Sequence, residues 1–322
     1  MLDNPEKPGD HAITAKSLYG SVFQPAYAGV ASFMRRKYTR DLTGVDVAVS
    51  GIAFDAATSN RPGARFGPQG IRTASKQLSY GDFWPWNFDP FDRLAVIDYG
   101  DCEFDMGSTE SMLRAVEAHA AKIIEAGASL LTLGGDHLVS LPLLRAHAKR
   151  YGPLSLVHFD AHTDTWRNEA YTHGSMFFHA IEEGLIDPER SIQIGIRTTN
   201  HESHGFTILD APWVHENGTA AVIAEIKRVV GGHAAYLTFD IDCLDPSYAP
   251  GTGTPVIGGL TTHQAQSILC GLGKIDFVAM DVVEVAPIYD VGEITSLAAA
   301  ALALNYLCLR AVDKDPVNTG SS

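Results

Sequence analysis

From residue 45 onward, short apolar runs alternate with longer amphipathic stretches, and this alternation limits the possible folds more than any other feature. The runs are 45–52, 94–98, 129–133, 154–159, 192–196, 206–209, 235–239 and 277–282. Most are continuously apolar and β-branched, the pattern of strands covered on both faces. Between them lie helical patterns. In 110–126, Leu113, Val116, Ala120, Ile123 and Ile124 recur at helical spacing, and Gly127 closes the segment. Ser140 is a candidate cap for a helix entered through Leu141 and Pro142 and ended at Gly152. Val222, Ile223, Ile226, Val229 and Val230 line a third, which stops at Gly231. Strand–helix alternation of this kind predicts a three-layer α/β/α domain around a mostly parallel, eight-stranded sheet. Residues 1–40 lack this pattern and read as an N-terminal arm, leaving 41–322 as a single catalytic domain.

Ligands of such sheets bind beyond the carboxyl ends of the strands. Four runs are followed there by acids or histidines: Asp136 and His137, then Asp160, His162 and Asp164, then Asp240 and Asp242, then Glu284. Asp160, His162 and Asp164 are two residues apart, so an extended backbone projects them to one side. A single Asp-x-Asp at a strand end is ordinarily a loop or cap feature, and a lone His137 after two glycines is unremarkable. Their coincidence on one rim changes the weighting. Four clustered carboxylates cannot all stay ionised without compensation, and two divalent cations supply the four opposing charges. With His137 and His162 the donor set is oxygen-rich and free of thiolate, which favours Mn²⁺ or a similar ion over zinc. Two such ions acidify a water between them to hydroxide near neutral pH, and a nonbridging carboxylate can orient it.

The charge balance is consistent with this. Against 24 Lys and Arg stand 38 Asp and Glu, a net charge of −14. That argues against a nucleic-acid backbone or an anionic membrane as the main partner and suits a cationic substrate, although acidic solubility alone is the plainer reading. Glu284 stands on the same rim outside the ligand pattern and can pair with a planar guanidinium; by itself it is equally a salt-bridged strand-end carboxylate. The first residues carry no basic flank before an apolar core, so no secretory signal is expected. The apolar stretch 294–312 is interrupted by Asn305 and Arg310 and reads as a buried helix. Cys102, Cys243, Cys270 and Cys308 show no paired spacing, as expected of reduced thiols in a cytoplasmic protein.

The blocks "GGDH", "HFDAHTDT", "TFDIDCLDPSYAPGTGTP" and "MDVVEVAP" resemble the metal-ligand and active-site blocks of the ureohydrolase (arginase/agmatinase) family. "RFGPQGIR", "FWPWNF", "LPLLRAHAK" and "EEGLIDPE" look most like its bacterial agmatinase branch. The resemblance implies an arginase-like fold and two Mn²⁺ per subunit. One ion would be held by His137, Asp160, Asp164 and Asp240, the other by Asp160, His162, Asp240 and Asp242. It also implies that His173 shuttles protons to the leaving amine, that Glu284 fixes the guanidinium, and that Asp164 is a catalytic carboxylate. A homo-oligomer, trimer or hexamer, is expected on the same basis. The loop from Thr165 to Thr172 is shorter than in arginases and lacks their small polar run, which leaves room for a substrate without an α-carboxylate. Agmatine, hydrolysed to putrescine and urea, fits; the alternative is another ω-guanidino compound, as in a guanidinobutyrase. In the tail-recognition position stand Trp166, Arg167, Asn168 and Glu169, of which Arg167 would repel an amine tail if it pointed inward.

Two readings from other classes differ in testable ways. A ligand-binding member without turnover would ordinarily have lost a ligand, whereas all six are present. A dinuclear phosphoesterase would need Lys or Arg beside the metals, and none adjoins His137, Asp160, Asp240 or Glu284 in the sequence. The turn "PGTGTP" lacks the lysine and helix entry of a phosphate loop and reads as a pocket wall. "YGD" at 99–101 reads as a turn, and His119, His147, His179 and His215 as helix-surface or solvent residues.

Overall fold

Among the described residues nine strands form one sheet: β1 (Lys37–Tyr38), β2 (Val47–Gly51), β3 (Val96–Asp101), β4 (Ser129–Leu133), β5 (Ser155–Phe159), β6 (Ile192–Ile196), β7 (Thr207–Asp210), β8 (Ala235–Asp240) and β9 (Phe277–Val283). The helices are α1 (His11–Thr14), α2 (Gly67–Ser75), α3 (Thr109–Glu125), α4 (Ser140–Tyr151), α5 (Met176–Glu182), α6 (Ala211–Val230), α7 (Thr262–Cys270) and α8 (Ile294–Ala311). The computed structural model describes residues 9–79 and 81–317. Strand order is β1-β3-β2-β4-β9-β8-β5-β6-β7, and every neighbouring pair is parallel.

The sheet therefore has one strand more than the eight expected. The extra strand, β1, is two residues long, too short for any periodicity to show; it pairs with β3 at the sheet edge. The segment before it is tied to the fold as well. Phe33 N–H donates to Asp98 Oδ2 (2.7 Å), an oxygen that also accepts Arg72 Nε (2.8 Å). "YGD" is the end of β3 rather than a turn, and Asp101 pairs with Arg72 Nη1 at 2.6 Å.

Alternate strand residues enter opposite cores, as the pleat requires. Leu131, Val157, Leu237 and Met280 face the side covered by Val222 and Ile226 of α6, Ile268 of α7 and Leu307 of α8. Leu130, Leu156, Tyr236 and Ala279 face Val116 and Ala120 of α3, Leu144 of α4 and Phe177 of α5. Helix α8 is long and apolar enough to cross a membrane, yet 78% of it is buried against the sheet, as a core helix. Ser140 does not cap α4; its hydroxyl donates to buried Asp281 Oδ2 at 2.7 Å. His147 is buried rather than solvent-facing, and His119 is half-buried, its Nε2 2.8 Å from Ser50 Oγ.

Sheet order matters most for the site. The four strands that end in acids and histidines, β4, β9, β8 and β5, are consecutive neighbours in the middle of the sheet. At about 4.8 Å between strands, their carboxyl ends fall within roughly 14 Å of one another.

Candidate active site and metal centre

Each strand hands over its residues by a local device. After β4 the chain runs so close to the 54 carbonyl that a Cβ on Gly135 would lie 1.8 Å from Phe54 O, so only glycine fits. Asp136 N–H donates to that carbonyl (2.7 Å), its carboxylate accepts Ala57 and Leu138 N–H, and His137 is thereby turned inward. After β5, Asp164 (φ 52°) takes up the left-handed backbone region, and after β9 Glu284 does too (φ 61°). Such conformations cost free energy in non-glycine residues and concentrate at functional sites.

His137 defines the first half of the cluster. Its Nε2 lies 2.8 Å from Thr238 Oγ1, whose own proton goes to Asp281 Oδ1 (2.6 Å). The Nε2–H is therefore the donor, and the Nδ1 lone pair faces the site. There it stands 3.2 Å from Asp160 Oδ2, 2.9 Å from Asp164 Oδ2 and 3.2 Å from Asp240 Oδ2, in no well-formed hydrogen bond. A lone pair among three carboxylate oxygens is repulsive unless a proton or a metal ion lies between them. Burial would lower the pKa of His137, but Asp160, Asp164 and Asp240 drive it well above the ordinary value. Without a cation, the site draws a proton in its place.

His162 defines the second half, with Nδ1 3.2 Å from both Asp160 Oδ1 and Asp242 Oδ2. Burial opposes protonation here too, yet Asp242 and Asp160 push its pKa up to about 12. Asp160 thus presents Oδ2 to His137 and Oδ1 to His162. Burial, then repulsion from Asp242 and Asp160, raises Asp240 well above the usual carboxylate range; burial and Asp160 raise Asp242 and Asp164. Thr254 Oγ1 donates to Asp242 Oδ2 at 3.1 Å, which makes the 250–255 turn a wall of the site. The structure brings all six expected ligands together, and the donor set fits a pair of oxygen-loving divalent cations.

One neighbour was not anticipated. His158, inside β5, lies 2.7 Å from Asp160 Oδ2 through Nε2, while Gln193 Nε2 donates to His158 Nδ1 (3.0 Å) and to the Thr163 carbonyl (2.7 Å). An amide N–H can only donate, so His158 carries its proton on Nε2 and gives it to Asp160. Both residues are buried on strands that look wholly structural in sequence.

Glu284 and His173 meet at the rim. His173 Nδ1 is 2.9 Å from Glu284 Oε1, which also accepts His137 N–H (2.9 Å). Oε1 is therefore doubly occupied, and among the described residues buried Oε2 has no hydrogen-bond partner. His173 Nε2 accepts Ser59 N–H at 2.9 Å and lies 2.7 Å from Ser59 Oγ. Burial would lower its pKa, but Glu284, then Asp164 and Asp136, lift it to about 9. Ser59 serves either state: its N–H donates to neutral Nε2, and its hydroxyl oxygen can accept from protonated Nε2. Nothing in the sequence near residue 59 signals this contact.

A cavity of about 360 Å³ opens beside them, bordered by His162, Asp164, Asp240, His173, Trp166 and Asn168 among others. Arg167 is not among the lining residues; it pairs with Glu202 (3.5 Å) over the Phe178 ring (5.2 Å).

A rim of carboxylates and imidazoles on a parallel α/β sheet, with a buried acid free to receive a cation, defines a metal-dependent hydrolase of the ureohydrolase type. Residues 45–308 match the arginase family model, and the chain belongs to the arginase family. It is 57% identical to the agmatinase of Chromobacterium violaceum over 305 residues, 94% of this chain and 95% of that protein. A crystal structure of a hypothetical agmatinase from Burkholderia thailandensis superposes with a TM-score of 0.93 at 56% identity, covering 94% of this chain and 98% of the other. Proclavaminate amidino hydrolase from Streptomyces clavuligerus gives 0.85 at 38% identity, with 89% and 99% covered.

Proposed function

We propose that the protein hydrolyses agmatine to putrescine and urea. The observation that carries this reading is the buried Glu284 Oε2, without a hydrogen-bond partner among the described residues, just behind His173 of a cavity whose described lining contains no Lys or Arg. Such a cavity receives a guanidinium and has no cation to offer the tail of 4-guanidinobutyrate. The agmatinase relatives, similar over most of their length, support the same substrate.

His137, Asp160, Asp164 and Asp240 would hold one divalent cation, and Asp160, His162, Asp240 and Asp242 the other. Mn²⁺ is the ion such donors favour. When bound, the metal pair supplies hydroxide near neutral pH and stabilises negative charge developing on oxygen. The chain's own groups do the rest. Asp164 orients the attacking oxygen, and Glu284 Oε2 receives guanidinium N–H and holds the carbon in place. Water adds to that carbon, the bond to the butyl-chain nitrogen breaks, and His173 helps protonate the departing amine. His173 can be resupplied at Nε2, where Ser59 stands at the solvent-exposed side. We further read 41–322 as the catalytic domain with 1–40 as its arm, in a cytoplasmic homo-oligomer, trimeric or hexameric; four free cysteines accord with a reducing compartment.

Urea release from Mn²⁺-loaded protein, measured over agmatine, arginine and 4-guanidinobutyrate, tests the assignment. A preference for agmatine of about a hundredfold or more in kcat/KM is expected, since leaving a charged tail unmatched costs several kcal/mol. Preference for either acid overturns it.

A further inference from the structure

The segment 166–169 divides in two. Trp166 and Asn168 border the cavity, while Arg167, between them, lies outside the lining beside Glu202 and the Phe178 ring. Residues 165–168 form no helix, turn or strand. Trp166 is fixed in place. Its backbone N–H donates to the Gly174 carbonyl at 3.0 Å, and a Cβ on Gly174 would come within 3.7 Å of its Cδ1, so the indole edge rests on the loop beside His173. Among the described residues its ring has no aromatic or cationic partner, and Trp166 is 50% exposed.

The carboxylates that border the cavity, Asp164 and Asp240, stand in the ligand cluster. A cationic tail that extends from the cluster toward the mouth thus meets no free acid in the lining. It does meet the indole of Trp166, the aromatic ring that attracts cations most strongly. We propose that Trp166 is the specificity-determining residue for the substrate tail, its ring face receiving a terminal primary ammonium; this rests on the agmatine reading above. Asn168, two residues on, adds a carbonyl oxygen that already accepts Ala170 N–H at 3.0 Å and keeps a second lone pair. Arg167, the one cation of the segment, is not in the cavity lining and lies beside Glu202.

The test compares agmatine with pentylguanidine, in which a methyl replaces the ammonium, on Mn²⁺-loaded wild type, Trp166→Phe and Trp166→Leu. Trp166→Leu should lower kcat/KM for agmatine about five- to thirtyfold, mainly through KM, and leave pentylguanidine within twofold. Trp166→Phe should fall between. Inhibition by putrescine against butylamine gives a second reading without turnover: Trp166→Leu should weaken the diamine alone. Unchanged circular dichroism and melting temperature establish that the variants fold; should Trp166→Leu fail to fold, Trp166→Phe with both substrate pairs decides. Equal losses for agmatine and pentylguanidine, or none for either, overturn the inference while the agmatine reading stands. Wild type inert toward agmatine overturns both.

Discussion

For a single residue, the informative case is Asp160, whose two oxygens face His137 and His162 while His158 donates to Oδ2. The tautomer of His158 decides whether that contact is attractive, and Gln193 sets the tautomer from the other ring nitrogen. Groups that orient a metal ligand from behind typically contribute ten- to hundredfold in affinity. Replacing Gln193→Leu should therefore weaken divalent-cation binding by about that factor, with little change in secondary structure. Calorimetric titration of Mn²⁺ into the metal-free variant checks it; unchanged affinity would mean that His158 needs no such support.

On the scale of elements, the strand ends were legible in the sequence because Asp160, Asp240 and Glu284 each follow an apolar run whose limits the residues themselves announce. Their adjacency was not. That β9 inserts between β4 and β8 is a matter of sheet order, which strand composition does not encode. His158 and Gln193 escaped notice because a polar residue inside a covered strand looks like core, and Ser59 because loops carry no periodicity. His147 looked like a surface residue on α4 because a titratable ring in a helix ordinarily faces water, yet it lies one turn beyond Leu143 and Leu144 on the buried side. Gly135 was visible only as half of a turn signal, whereas the structure shows two backbones in contact there. Gly135→Ala should force the β4 turn from the Phe54 carbonyl and destabilise the protein by about 2–3 kcal/mol. A lowered melting temperature and reduced Mn²⁺ retention are the expected signs; a variant as stable as wild type would show that the turn yields easily.

Taken whole, the molecule carries an acid sensitivity that does not originate in its catalytic rim. Burial lowers the pKa of His147 to about 4, only partly opposed by its bond to the Leu143 carbonyl, and burial with Arg40 and Lys122 lowers His119 to about 4. Both are neutral in the fold, whereas in the unfolded chain they gain protons at the ordinary 6.5. As pH falls below 6.5 the unfolded state is favoured progressively, until the folded-state value is reached and the loss levels off. His147→Leu should lose less stability than wild type between pH 8 and pH 5, by about 2 kcal/mol, measured by urea unfolding at the two pH values. Parallel curves would place the sensitivity elsewhere. The outward-turned Arg167 has a different kind of consequence. Because Trp166 borders the cavity and Arg167 follows it directly, sliding the segment by one position would set a guanidinium in the mouth where an indole now stands. Descendants of this scaffold could thus trade amines for acids by a frame shift in one short stretch, leaving the hydrolytic machinery untouched.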